Sequence, residues 1–217
     1  EDATRCEQDF LRAMAEAAAM HGATRIRIAD TVGIASPAQI AELVQLMRGA
    51  AKGCIIGVHA HNDFGMATAN SISALEAGAG SVDVVALGLG ERTGCARLEE
   101  VVGYLALARE HGDFNPQYLK PLAQKVASIS GRKISPTRPV IGEDIFTCET
   151  GLHLQGLQQN PGTYEPFNPE KVQAKRKLLY GCKSGKTALV HRCNEVSPTP
   201  INNLCETLVG RIRKASK

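Results

Sequence analysis

Two histidines one residue apart, His59 and His61, close the apolar run Ile55-Ile56-Gly57-Val58. Side chains two apart on a strand point to the same face, so the two imidazoles converge where the strand ends. Neutral imidazoles bind divalent zinc, manganese, iron or cobalt. Asn62 and Asp63 follow at once, placed to fix the turn and to hydrogen-bond behind the ligands. Two imidazoles make a weak site on their own, so an oxygen ligand is expected from elsewhere. A second cluster, Gly88-Leu89-Gly90-Glu91-Arg92-Thr93-Gly94, follows another apolar run. Glu91 and Arg92 read there as a structural ion pair, or Glu91 as a carboxylate able to do acid–base work beside a metal. Thr31 stands directly after Asp30. Taken alone it reads as a turn or cap residue.

The elements that must hold these residues repeat. Three segments read as buried strands: 25–30, 55–59 and 82–87. Each follows an Ala-rich stretch with helical periodicity. The expected core faces are Phe10, Met14, Ala17 and Ala18 in the first helix, Ile40, Leu43, Val44 and Met47 in the second, and Ile72, Leu75 and Ala79 in the third. Ser36-Pro37 sets a cap residue before a proline at the first helical position. The step from Ile28 to Val58 is 30 residues and from Val58 to Val85 is 27, a strand–helix unit of a parallel α/β fold. The polar clusters lie just after the strands, where such folds keep their function. The third glycine of the 88–94 cluster comes one place too late for a dinucleotide loop, so a (β/α)8 barrel is preferred over a doubly wound sheet. A fourth helix runs from Leu98 to about Glu110. The expected division is 1–111 as half of a barrel, 112–142 as a connector with a helix over 119–130, 143–195 as a small, mainly helical subdomain, and 196–217 as a linker and short helix over 201–215.

Composition removes other classes. The longest apolar runs are a few residues, whereas a spanning helix needs about 20, so no membrane partner is expected. The net charge of +3 is small, its basic residues are spread out and aromatics are scarce, so no nucleic acid is expected either. The seven cysteines are an odd number, widely scattered, with no C-x-x-C. They read as reduced thiols of a cytoplasmic protein.

His59-Ala60-His61-Asn62-Asp63-Phe64-Gly65-Met66-Ala67-Thr68-Ala69-Asn70 resembles the H-x-H-N-D-x-G-x-A-x-A-N signature of the acetyl-CoA-dependent α-keto-acid condensing enzymes, the homocitrate, 2-isopropylmalate and citramalate synthases. Residues 88–94 resemble their G-x-G-E-R-x-G segment, and the likeness extends through Ala29-Asp30-Thr31-Val32-Gly33 to Gly151-Leu152-His153. It implies a TIM barrel with appended helical subdomains, usually dimeric. It also implies a divalent metal (Mg, Mn or Zn) held by His59, His61 and an aspartate, with acetyl-CoA and an α-keto acid as substrates. By the same likeness, Thr31 binds the keto-acid carboxylate with Arg92 beside it, and His153 and Tyr164 take part in proton transfer. Without the resemblance, His153 would read as a core histidine and Tyr164 as a packing residue.

Arg138-Pro139-Val140-Ile141-Gly142-Glu143 and Tyr164-Glu165-Pro166-Phe167 are more similar to homocitrate synthases, whose keto acid is 2-oxoglutarate, than to the leucine-pathway enzymes. 2-Isopropylmalate or citramalate synthase is the alternative. The chain departs from the pattern at Cys95, where many relatives have asparagine, at Cys148 and Thr150 in a His-Glu-Ser-Gly segment, and at Cys182-Lys183. Cys95 reads first as a small buried hydrophobe and second as a soft metal ligand. The first-strand Asp-Gly-x-Gln segment that supplies the family's metal-binding aspartate does not occur here. At 27–30 residues per unit, eight units need about 220–240 residues, near the ~250 typical of the fold. The expectation is therefore the C-terminal half of a barrel, working as a homodimer or with a chain that supplies the first half. A non-catalytic or split-subunit homologue is the rival reading.

Overall fold

In the computed structural model, residues 1–181, 184–197 and 206–215 are described. Cys182, Lys183, most of the Ser-Pro-Thr-Pro linker and the expected helix start at 201–205 lie outside them. The chain divides into two compact units, Glu1–Asn115 with Pro121–Ile134, and Pro116–Lys120 with Ser135–Lys217.

The first unit is built on parallel pairing. Strands β1 (Arg25–Asp30), β2 (Ile55–Ala60) and β3 (Ser81–Val82) lie in that order. Arg25 pairs with Ile55 and Asp30 with Ala60, and Gly57 pairs with Ser81. Helix α1 (Gln8–Met20) precedes β1, α2 (Pro37–Ala50) and α3 (Ala67–Glu76) connect the strands, and α4 (Leu98–Leu107) follows β3. Alternation sorts the strand residues by face. Ile28, Ile56, Val58 and Ala60 join the core with Ile40, Leu43, Val44 and Met47 of α2. Arg27, Gly57 and His59 fall on the opposite face. The expected cap of α2 is present as a full capping box: Ser36 Oγ accepts from the Gln39 backbone N–H, and Gln39 Oε1 accepts from the Ser36 N–H. Ile40 is fully buried in this core. Ile40→Ala is expected to destabilise the protein by about 2–5 kcal/mol, read as a lower urea midpoint with an unchanged slope.

Four expectations need correction. The strand expected over 82–87 stops at Val82. Beyond it the backbone turns to the 95–98 segment: Val85 N–H donates to Ala96 O and Leu98 N–H to Val85 O. A 3-10 turn follows at Ala86–Gly88, with Leu87 in the left-handed region at φ 61°. On α1 the buried residues are Leu11 and Ala15, while Phe10 and Met14 are 58% and 54% exposed. The apolar sector of α1 is broad, and periodicity alone does not say which edge meets the sheet. On α3 the buried face is Ala67, Asn70, Ser71 and Ala74, with Ile72 and Leu75 only half-buried. These small side chains let α3 pack on the start of α2, where Asn70 Nδ2 donates to Ala35 O and Ser73 Oγ to Pro37 O. The fourth helix ends at Leu107 rather than near Glu110, whose φ of 53° breaks it.

Helix α5 (Leu119–Ser130) matches its expected bounds. The second unit holds α6 (Gly151–Gln159), α7 (Lys186–Val196) and α8 (Glu206–Ala215). It also has a small parallel pair, β4 (Thr147–Cys148) with β5 (Lys177–Leu178), which sequence reading did not foresee. Phe146 packs edge-on against Phe167, with ring centres 5.3 Å apart.

Candidate metal and substrate site

Three loops meet at the C-terminal end of the β1–β2–β3 sheet. The β1 loop is anchored by Asp30, which is fully buried. Its carboxylate accepts from the Ile34 and Ala35 backbone N–H groups and from Thr4 Oγ1, so its charge is met by three donors. The β2 loop carries His59, His61, Asn62 and Asp63. Asn62 Oδ1 accepts from the Ala67 N–H and sets the start of α3. The third loop, 88–95, is sewn to β2 through its backbone: Asn62 N–H donates to Gly94 O, and His61 and Cys95 form an isolated antiparallel bridge.

That sewing depends on Gly94. Its φ is +91°, and a Cβ there would run into the carbonyl of Gly88, which already accepts from the Cys95 N–H at 3.2 Å. The G-x-G-E-R-x-G spacing thus sets residue 95 beside His61.

His59 and His61 are half-buried and meet edge-to-face, with ring centres 4.9 Å apart. His59 Nδ1 donates to Asp83 Oδ2 at 3.0 Å. A carboxylate on Nδ1 fixes the tautomer and leaves the lone pair on Nε2, the usual arrangement behind a ligating imidazole. Asp83 Oδ2 also lies 3.3 Å from Arg27 Nε, so its charge is shared. Sequence reading missed Asp83, assigning the supporting role to Asn62 and Asp63. The signal was present: an acidic residue between Val82 and Val84, in an apolar run, needs a partner when partly buried. Ligand atoms of His59, His61 and Cys95 lie within 4.8 Å of one another. Two imidazoles and a thiol, one imidazole oriented by a carboxylate, fit a divalent transition ion. Burial, and then the Asp83 charge, push the Cys95 thiol up.

Arg92 does not pair with Glu91, as the ion-pair reading expected. Its Nε and Nη2 each donate at 2.8 Å to the two Asp63 oxygens, and Nη2 also donates to Thr31 O at 2.8 Å. A bidentate fork is the geometry a carboxylate favours, and it ties all three loops together. Glu91 is exposed. Thr31 Oγ1 accepts from the Asp2 N–H at 2.7 Å, which leaves its own hydrogen to donate.

The Arg92 hydrogen bonds hold the Asp63 carboxyl below the usual carboxylate range, partial desolvation opposing them. A lowered acid pKa contributes stability above the ordinary aspartate value and loses it as pH falls through the lowered one. Arg92→Gln is expected to move the Asp63 pKa upward to the usual range. Carboxyl-carbon NMR titration would check this, and an unmoved titration would contradict the pairing.

In the second unit, His153 on α6 and Tyr164 lie ring against ring, centres 4.2 Å apart. Gly156 makes the room, since a Cβ there would strike the Tyr164 ring. Tyr164 is 38% exposed. Its neighbour Glu165 accepts two hydrogen bonds from Arg176, at 2.5 and 2.6 Å. Burial, then the Glu165 charge, push the Cys148 thiol up. The five described cysteines are free thiols. No helix among the described residues is long and apolar enough to cross a membrane.

Residues 1–126 match the family model described as HMGL-like, and residues 140–217 match the one described as homocitrate synthase post-HMGL domain-like. A probable 2-isopropylmalate synthase of Ignicoccus hospitalis is 43% identical, over 86% of this chain and 47% of its own length. Homocitrate synthase AksA of Methanopyrus kandleri is 39% identical, over 98% of this chain and 54% of its own. The chain spans about half the length of these curated relatives. Among solved structures, an HMG-CoA lyase of Bacillus subtilis superposes with a TM-score of 0.55 at 25% identity, covering 62% of this chain and 47% of that one.

Proposed function

The chain belongs to the HMGL-like family, its fold the α/β half of a TIM barrel followed by a mainly helical part, and from that premise we propose that it carries part of the active site of an acyltransferase. The proposed enzyme condenses acetyl-CoA with an α-keto acid, most readily 2-oxoglutarate to give homocitrate, and hydrolyses the thioester to release CoA. The observation that carries this reading is the convergence of His59 and His61 at the C-terminal end of β2, with Asp83 behind His59.

In this proposal His59 and His61 hold a divalent ion. When bound, that ion supplies Lewis-acid polarisation of the keto carbonyl. Thr31 donates its hydroxyl hydrogen to the substrate carboxylate. Arg92, whose Nε and Nη2 are engaged by Asp63 and Thr31 O, has Nη1 left to meet the same anion. His153 and Tyr164 move the proton taken from the acetyl methyl group, their rings in tilted contact with centres 4.2 Å apart. Glu91, exposed beside Arg92, is assigned acid–base work on the thioester. The working assembly is proposed as a cytoplasmic homodimer, or a complex with a chain that supplies the first barrel half.

The choice of 2-oxoglutarate is supported by the match of residues 140–217 to the family model described as homocitrate synthase post-HMGL domain-like. The test is CoA release by the protein expressed from its full reading frame, with metal and with 2-oxoglutarate, pyruvate or 2-oxoisovalerate in turn. Fastest turnover with 2-oxoglutarate is expected. Preference for 2-oxoisovalerate would make it a 2-isopropylmalate synthase, and no turnover with any would favour the non-catalytic reading.

A further inference from the structure

We propose that Cys95 is itself a metal ligand, giving a two-nitrogen, one-sulfur donor set that selects Zn2+ or Co2+ over Mg2+. The inference rests on the reading of His59 and His61 as the metal site and adds a third donor from this chain. Cys95 is only 6% exposed, and its Sγ lies 4.0 Å from His61 Nδ1. It is placed by backbone rather than by chance packing, since its N–H donates to Gly88 O and it bridges His61.

Donor atoms of the three residues are within 4.8 Å of one another. Around a tetrahedral ion with Zn–N near 2.0–2.1 Å and Zn–S near 2.3 Å, they would stand about 3.4–3.6 Å apart. Closing that gap asks no pair to approach by more than about 1.4 Å, and the Cys95–His61 pair, at 4.0 Å, by only about 0.4 Å, within reach of side-chain rotation. A thiolate is a soft ligand that favours zinc and cobalt, whereas the asparagine of many relatives offers a hard amide oxygen suited to magnesium or manganese. On binding, the S–H bond breaks, the sulfur keeps the electron pair and the proton passes to solvent.

The experiment loads the protein, expressed from its full reading frame, with Co2+ as the probe. A thiolate bound to cobalt adds a near-ultraviolet charge-transfer band that imidazole and oxygen donors do not give. The wild-type protein is expected to show the band. Cys95→Ser and Cys95→Asn are expected to keep cobalt, by dialysis, and to lose the band, with Zn2+ affinity lower by about 10–100-fold. Bound cobalt without the band in the wild type would overturn the Cys95 assignment and leave the two-histidine site standing. No cobalt binding at all, or binding unaltered by His61→Ala, would overturn the underlying site as well.

Discussion

Replacing His61 with alanine is expected to abolish the proposed divalent-ion binding and to slow the proposed condensation by roughly 10³-fold or more, the several kcal/mol that Lewis-acid stabilisation supplies. His61 is one of two imidazoles on the face of the sheet opposite the α2 core, and its ring meets that of His59 at 4.9 Å. With it gone, the described residues of the cluster keep one imidazole and one thiol, too few donors to compete with water. The side chain is only half-buried, so thermal stability of the metal-free protein should change by no more than about 1 kcal/mol. Asp83→Asn is expected to act more mildly. It keeps a hydrogen-bonding group at His59 Nδ1 but removes the carboxylate charge, so metal affinity should fall by about 10–100-fold without being lost. Elemental analysis after dialysis reads both variants. Unchanged metal content in His61→Ala would contradict the assignment.

The second large effect is expected at Gly94. Gly94→Ala should lower folding stability by about 2–4 kcal/mol, combining left-handed strain with a collision against the Gly88 carbonyl. Gly22 supplies the control. Its φ of +88° nearly equals the +91° of Gly94, but a Cβ there meets nothing within 4 Å. Gly22→Ala should therefore cost about 1 kcal/mol, the strain alone. The difference between the two urea midpoints isolates the collision. Because relief of the collision must move Gly88 or Cys95, Gly94→Ala should also weaken metal binding, which Gly22→Ala should not. Equal destabilisation by the two variants would show that the 88–95 loop yields freely and does not position residue 95.

What the sequence disclosed of this arrangement follows from which signals are local. The α2 cap, the α2 core face and the bounds of α5 were legible because a capping box and a narrow apolar stripe are written in adjacent residues. The convergence of His59 and His61 was legible for the same reason, since strand alternation is local. The end of β3 was not. Val84, Val85, Ala86 and Leu87 carry strand-forming composition, yet Val85 bonds through its backbone to Ala96 and Leu98, a pairing that only the folded loop creates. The Arg92–Asp63 fork spans 29 residues, and adjacency suggested Glu91 instead. Asp83 was hidden similarly, 24 residues from the imidazole it orients. Cys95 read first as a hydrophobe and second as a soft ligand, and the bridge to His61, which only the folded loop makes, favours the second. The roles of His153 and Tyr164 came from resemblance alone, and their ring contact over Gly156 was not foreseen.

We propose that this chain brings a metal-dependent condensing site to the protein. The most direct test is thiol release from acetyl-CoA by the protein expressed from its full reading frame, measured with and without keto acid and with and without divalent metal after chelation. Release is expected only when 2-oxoglutarate and metal are both present, and it should disappear in His61→Ala. Release that persists after chelation, or that is the same in His61→Ala as in the wild type, would contradict it.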